Sequence, residues 1–366
     1  MKLSARIIQT SLGFILLAAS CVSHNDSPNQ EPTRIDWDDL QIPPKPIEDL
    51  CSAVTREEID TWENVKNDFT YGLAGGFLPE DLSIPKKMAY DTYWVNSDEQ
   101  LTFDWLFWYP EGNDESATLR LFVLLDEQQL DKALPEPGAF NDINLEKGDD
   151  KSIKVVVPPL SAGVHDLIAV GIPYPENEPD EYGSVIVIYR RITLIALPAN
   201  SPFREIEFTS LPLEGSLKRN DPGMGLELTL QKGGVDVWNW PNSWLDVNEN
   251  NAINFFVLAG HQDVINEDAP SLDELKTSFA SLLLFVDYQQ VEIAPNQIVV
   301  YGKTDQDTAY ARIPVTISPL SRGKHHILVL RIDTPGIPIC ILRGDSNSRI
   351  LPNSVYGKLV GVNVVP

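Results

Sequence analysis

The sequence predicts an all-β protein: two tandem antiparallel β-sandwiches from an internal duplication, preceded by an N-terminal tether and a short helix. Three observations predict it. Leu119 to Leu130 (LRLFVLLDEQQL) reappears without a gap as Ala280 to Val291 (ASLLLFVDYQQV). Further along each copy, Pro159-Leu160-Ser161-Ala162-Gly163-Val164-His165 matches Pro319-Leu320-Ser321-Arg322-Gly323-Lys324-His325, and the spacing between the two matches differs by one residue. Beyond residue 79, short runs of β-branched and aromatic residues alternate with turn residues and no long helix intervenes. That pattern belongs to antiparallel sheets packed face to face, not to a parallel sheet with crossover helices.

The first twenty residues form an export signal. Lys2 and Arg6 give a basic start, Ile7 to Ala19 is mostly apolar, and Ala18-Ala19-Ser20-Cys21 follows. The apolar stretch is too short to span a bilayer, which takes about 20 residues. Its ending resembles a bacterial lipoprotein lipobox, with Ala19, Ser20 and Cys21 in the family pattern; Ala18 departs from the usual Leu, which stands one place earlier at Leu17. The resemblance implies cleavage after residue 20, a lipid on Cys21 and an extracytoplasmic, membrane-anchored location. A plain secretory signal remains the alternative.

Residues 21–50 are polar and proline-rich (Pro28, Pro32, Pro43, Pro44, Pro46) with the acidic run Asp36-Trp37-Asp38-Asp39, and read as a disordered tether. In residues 51–78, Thr55 and Glu58 make a capping box, and Ile59, Trp62, Val65 and Phe69 recur at helical spacing, predicting a short amphipathic helix and a connector. The first sandwich takes residues 79–199, with strands expected at 100–109, 117–125, 152–157, 164–172 and 184–197. Pro198 to Pro202 reads as a hinge. The second sandwich takes residues 203–366, with strands expected at 225–230, 252–258, 281–288, 297–301, 311–317, 326–332 and 355–365. One insertion is expected to be helical: Ser271 and Glu274 form a second capping box, and Leu272, Leu275 and Phe279 share a face.

The repeated Pro-Leu-Ser-x-Gly-x-His segment joins one strand to the next, and Gly163 and Gly323 suit the positive φ of such a corner. It resembles the corner before the F strand of immunoglobulin-like domains, where a ring polar atom bonds backbone upstream. The resemblance implies immunoglobulin-like sandwiches and structural roles for His165 and His325. Of the other histidines, His24 lies in the tether, and His261 and His326 remain as candidates for chemistry.

A formal charge of −25, made more negative once Lys2 and Arg6 leave with the signal, disfavours nucleic acid and anionic lipid headgroups as partners. No zinc His-Glu-x-x-His, nucleophile elbow, phosphate loop or dinucleotide fingerprint is present, so the expectation is no enzyme and no cofactor. Asp246, Asn248 and Asn250 imitate the start of a calcium loop, but Val257 stands where an EF-hand places its Glu; calcium is a weak candidate beside a simple polar turn. Trp238 and Trp240, two apart near Trp244, are the ligand-binding candidates, able to stack on sugar rings if exposed; Trp94 and Trp244 read as equivalent core residues. Phe103, Trp105, Phe107 and Trp108 read as a strand filled on both faces. With Cys21 lipidated, Cys51 and Cys340 are left as a candidate disulfide. The functional expectation is an envelope lipoprotein with a binding or scaffolding role toward an unknown protein or glycan. Carbohydrate binding at the Trp238 to Trp244 loop and a hydrolase with carboxylates between the domains are the alternatives.

Overall fold

The computed structural model describes residues 33–34, 74–79, 86–88, 91–109, 116–173, 188–199, 201, 203–210, 226–232, 235–237, 244–260, 277–305, 310–343 and 354–366. Before and through the first copy run β1 (Thr33–Arg34), β2 (Ala74–Pro79), β3 (Lys86–Met88), β4 (Thr92–Asn96), β5 (Leu101–Trp108), β6 (Ala117–Leu125), β7 (Gln128–Gln129), β8 (Asn141–Leu145), β9 (Asp150–Val157), β10 (Gly163–Pro173) and β11 (Ile188–Leu197). Then come β12 (Glu207–Ser210), β13 (Leu226–Lys232), β14 (Val235–Val237), β15 (Leu245–Asn248), β16 (Ile253–Gly260), β17 (Thr277–Val286), β18 (Gln289–Val291), β19 (Val299–Asp305), β20 (Tyr310–Ile317), β21 (Gly323–Asp333), α1 (Ile339–Arg343) and β22 (Val355–Val365).

Each copy has the strand order of an immunoglobulin-like sandwich. One sheet of the first copy is β2-β5-β9, and the corresponding sheet of the second is β14-β13-β16-β20. The other sheet runs β8-β6-β10-β11-β4 in the first copy and β19-β17-β21-β22-β15 in the second. These are the A-B-E and C′-C-F-G arrangements of that fold with one more strand on G, and in the first copy β3 pairs with the free side of that strand. The pairings β4 with β11, β15 with β22 and β12 with β19 are parallel, while the other ladders are antiparallel. The two copies are all-β immunoglobulin-like sandwiches related by duplication.

The inward faces follow from parity. On β5, Leu101, Phe103, Trp105 and Phe107 point into the first core, and Leu106 and Trp108 on the opposite face are half-buried. The central strands instead carry unbroken apolar runs, because each is covered on both faces. Leu119, Leu121 and Val123 of β6 enter the first sandwich core, whereas Phe122 and Leu124 face out of it. In β17, Leu282 and Leu284 enter the second core and Leu283 and Phe285 face out. β10 and β21 repeat this division with Ile168, Val170 and Ile172 against Leu328, Leu330 and Ile332. The out-facing residues of both copies form one common core, with the Phe122 and Phe285 rings 5.1 Å apart. Sheet, sheet, sheet and sheet therefore stack in four layers, and residues 32–366 make one compact unit.

Several expectations change. Ala74–Pro79 is a strand of the first sandwich, paired with β5, so that sandwich begins before residue 79. Within the expected tether, Thr33 and Arg34 pair with Phe208 and Glu207, filling the open edge of β12; the rest of residues 21–50, the signal, and the helix expected over residues 55–69 lie outside the described residues. Phe279 belongs to β17, not to a helical insertion: it is buried against Phe208, and Thr277 already pairs with Asp305. The segment after Pro202 is no free hinge, because Arg204 donates its backbone N–H to Gly336 and Ile206 and Phe208 are buried. Asp287 and Tyr288 form a turn instead of ending a strand.

Truncating Phe285 to Ala removes a ring buried between the two copies and should cost about 3–5 kcal/mol. Because both sandwiches share that core, urea unfolding of the parent chain should show one transition by fluorescence and by circular dichroism. Two well-separated transitions in the parent chain would contradict the common core.

Candidate functional site at the junction of the two sandwiches

The repeated LLDEQQ and FVDYQQ segments build the junction. Each is a two-residue hairpin loop with both central residues at positive φ: Asp126 (50°) and Glu127 (62°), then Asp287 (49°) and Tyr288 (64°). Such a turn matches the twist of the flanking strands but is usually made by Asn and Gly. Here the Asp side chain holds it. Asp126 Oδ1 accepts the Asp166 N–H at 3.0 Å and Asp287 Oδ1 accepts the His326 N–H at 2.9 Å.

The same carboxylates meet the corner histidines. His165 places Nδ1 2.7 Å from Asp126 Oδ2 and Nε2 2.9 Å from the Ser161 carbonyl; His325 does so at 2.7 Å from Asp287 and 2.8 Å from the Ser321 carbonyl. A carboxylate and a carbonyl are both acceptors, so both ring nitrogens must donate, which is the imidazolium form. Burial alone would pull these rings down, but the hydrogen bond and charge of Asp126, or of Asp287, together with the backbone carbonyl hold both above the ordinary histidine range. Asp126 moves the opposite way: burial would raise it, yet His165 and Arg204 keep it below the ordinary carboxylate range. Gly163 and Gly323, at φ 144° and 131°, turn the chain into β10 and β21.

Next to the turns lies a pair of glutamines joined reciprocally across the junction. Gln129 N–H donates to Gln290 Oε1 and Gln290 N–H to Gln129 Oε1, each at 2.7 Å. Gln129 Nε2 donates to the Tyr288 carbonyl at 2.9 Å and Gln290 Nε2 to the Glu127 carbonyl at 2.8 Å. The two copies thus contact each other as the halves of a symmetric dimer do, each residue of one meeting its counterpart in the other.

The decoration around this framework is asymmetric. Tyr288 reaches onto the first copy, where the Arg120 guanidinium stacks 4.7 Å from its ring and 4.5 Å from Phe140, and Arg120 forks onto Asp142 at 2.6 and 2.8 Å. Its counterpart Glu127 reaches onto the second copy and accepts the Tyr301 hydroxyl at 2.8 Å. Arg204 clamps Glu127 and Asp126 together. Asp166 accepts two bonds from Arg191 and the Gly336 N–H at 2.6 Å, and Arg191 also donates to the Asp333 and Thr334 carbonyls. Arg331 pairs with Asp333 at 2.8 Å and donates to the Gly260 carbonyl. Burial pushes Glu127 up to about 7; Arg204 opposes this, while Asp166 and Asp126 reinforce it. Burial likewise raises Asp333 against the pull of Arg331 and Arg191.

A substrate cleft lined by free carboxylates is not what these residues form. The acidic side chains that gather between the copies are engaged by guanidinium groups, and the space between the sheets is filled by apolar side chains. Among the described residues no group of three His, Cys, Asp or Glu is placed to hold a metal ion. Asp246 and Asn248 lie on one exposed face of β15, where Asp246 accepts from Asn363 at 2.7 Å, and Asn250 sits in the following turn.

Trp94 and Trp244 are not equivalent core plugs. Tyr93 and Val95 fill the first core, so parity turns Trp94 to the opposite face, and the strand pairings align Thr92, not Trp94, with Trp244. Trp244 packs on His326 with centroids 5.1 Å apart and lies under the Lys324 ammonium, and the His326 ring also faces Tyr288 at 5.7 Å. Trp238, Trp240, His24, His261, Cys21 and Cys51 lie outside the described residues. Cys340 is buried in α1 and disulfide-bonded, its partner outside the described residues. α1 belongs to the second copy yet docks on the first: Ile339 N–H donates to Thr193 Oγ1 and Cys340 N–H to Thr92 Oγ1, each at 3.1 Å.

The sequence reading missed Asp126, Glu127, Asp166, Arg191 and Arg204. Asp126 and Asp287 stood in the repeat itself as the first residue of Asp-x-Gln-Gln; the arginines come from unrepeated positions that no pattern marked.

No family model matches the chain, and no curated protein matches it. Among solved structures, the CARDB domain of a Pyrococcus furiosus protein in complex with di-metal ions is similar at 11% identity and TM-score 0.23, over 35% of this chain and 97% of that one. A β-glucosidase from Erythrobacter marinus is similar at 12% identity and TM-score 0.17, over 34% of this chain and 16% of that one. Red sea bream transglutaminase is similar at 7% identity and TM-score 0.21, over 83% of this chain and 32% of that one. The chain therefore spans under a third of the two enzymes. Likeness at these scores carries no argument about activity, and the fold assignment rests on the strand order above.

The imidazolium geometry has a consequence for pH. Folded-state values above the unfolded histidine value of about 6.5 mean that the corners stabilise the fold fully below that pH and lose this contribution as pH rises through the raised values. In an NMR titration the His165 and His325 ring signals should have midpoints above 6.5; midpoints below it would show neutral rings and contradict the two-donor arrangement.

Proposed function

We propose that the chain is a lipid-anchored extracytoplasmic lipoprotein with a non-catalytic binding or scaffolding role in the cell envelope. The observation that carries the location is the disulfide at buried Cys340, since disulfides persist in oxidising compartments outside the cytoplasm. The basic-apolar start ending in Ala18-Ala19-Ser20-Cys21 supports the same location and supplies the anchor. With Cys21 bearing lipid, Cys51 is the remaining partner for Cys340. The strong negative charge suits an exported surface protein and argues against nucleic acid as the ligand.

The binding role is supported by how the sandwiches use their faces. The sheets that carry β6, β10, β17 and β21 are consumed in contact with one another, so recognition of a protein or glycan falls to the loops and the outward sheets. The arrangement acts as a rigid display scaffold.

Two measurements test the reading. Cells fed an alkyne-bearing fatty acid should label the parent protein and not Cys21→Ser; equal labelling of the two, or none of the parent, would refute the anchor. Non-reducing peptide mapping of the parent should recover Cys340 linked to Cys51, and a free Cys340 thiol in protein taken from the envelope would refute the staple.

A further inference from the structure

The junction balances its charges only by sharing one guanidinium between two carboxylates. Around Glu127 stand Asp126 on the same turn, Asp166 on β10, Arg204 from the connecting segment and Tyr301 on β19; His165 bonds Asp126, Arg191 joins Asp166 to the Asp333 carbonyl, and Arg331 pairs with Asp333 at the end of β21. The carboxylates are Asp126, Glu127, Asp166 and Asp333; the guanidiniums facing them are Arg191, Arg204 and Arg331. The His165 imidazolium meets Asp126 at Oδ2, while Arg204 meets Asp126 at Oδ1 and Glu127 at Oε2. With the His165 imidazolium counted, four positive groups face four carboxylates, but Arg204 is shared between Asp126 and Glu127, so Glu127 is the one carboxyl with no cation to itself; in a fully buried place a charge so weakly compensated is costlier than a bound proton.

Geometry selects the same carboxyl. Asp126 is bonded by His165, Arg204 and a backbone N–H, and Asp166 by two Arg191 nitrogens and the Gly336 N–H. Glu127 is completely buried, and only its Oε2 is engaged, by Arg204 and the Tyr301 hydroxyl; Oε1 is buried with no hydrogen-bond partner. The opposite end of the junction shows the alternative: there the counterpart position is Tyr288, a neutral side chain, and no proton is needed. We infer that Glu127 is a proton-binding site of the assembled junction, so that the contact between the two sandwiches tightens on acidification and loosens as the pH rises through neutrality.

The direction follows from linkage. The upward displacement of Glu127 to about 7 means that the folded chain holds a proton the unfolded chain, near 4.5, has released. Stability from this group is therefore full below the unfolded value and is lost as pH climbs through the folded one. An exported protein meets external pH directly, which gives such a site its use; this part rests on the location proposed above, whereas the proton site itself does not.

The test uses the full mature chain and its Glu127→Gln variant, in which the amide reproduces the neutral carboxyl. Melting temperatures are taken from pH 5 to pH 8.5. At pH 5 the two should lie close together, the parent should fall progressively below the variant as the pH climbs from 5 through 7, and the gap should level off above that. Loss common to both, from the corner histidines and Asp333, cancels in the difference. A difference that stays constant across the range would overturn the inference. Should the variant not fold, infrared spectra of the parent carrying 13C-labelled glutamate decide: a buried carboxylic-acid carbonyl band present at pH 6 and gone by pH 8.5 is expected, and its absence at pH 6 would overturn the proposal.

Discussion

Everything in this structure depends on two sheets packing back to back. β6 and β10 of the first copy and β17 and β21 of the second are covered by apolar side chains on both faces, and that double burial removes the usual distinction between the inside of a sandwich and its surface. A strand of this kind cannot alternate apolar with polar residues, which is why Leu121 to Leu124 and Leu282 to Phe285 are unbroken apolar runs. Alternation survives where one face meets other surroundings, as on β5 and β20. The reciprocal Gln129 and Gln290 bonds then fix the register of the two sheets, because displacing either hairpin breaks four hydrogen bonds at once.

Duplication supplies the symmetric frame, and the departures from symmetry show where a contact of identical halves would fail. A glutamate at both turn tips would bury two like carboxylates at the junction, and a tyrosine at both would leave the Arg204 guanidinium with one carboxylate fewer. The chain instead places Tyr288 over Arg120 and Glu127 beneath Arg204, so one end is held by cation–π and aromatic contact and the other by ion pairs. Position 166 against 326 diverges in the same sense: a buried Asp with Arg191 in the first copy, and a His stacked on Trp244 and Tyr288 in the second.

The architecture was legible in the sequence to the extent that it was repeated. Two matched segments gave the duplication, the corner glycines and the strands around them, and several strand limits, such as 117–125 and 355–365, agree with the structure to the residue. What escaped had no periodic signal. The strands β4, β8 and β15 are only four or five residues long, too short to show a period. The helix expected to run to Phe279 failed because a capping-box pattern is short and local, whereas the pairing of Thr277 with Asp305 is set by a distant strand. The meeting of the two copies was legible only in hindsight, in apolar runs too continuous for a half-exposed sheet. The ionic site was illegible because Arg191 and Arg204 stand outside any repeat.

A connecting segment is ordinarily where two domains gain freedom, and here it does the opposite. Arg204 spends its guanidinium on the first copy while its backbone bonds Gly336 of the second, and Ile206 and Phe208 a few residues on are buried against Phe279. From the other direction, α1 of the second copy donates backbone N–H groups to Thr92 and Thr193 of the first, and the disulfide of Cys340 starts from that helix. Bending between the copies would therefore break buried ion pairs, hydrogen bonds and apolar contact together. Loops carried on such a body keep fixed spacing before any partner arrives, so the ordering cost of binding falls on the partner and on the loops themselves and not on the relation between the sandwiches.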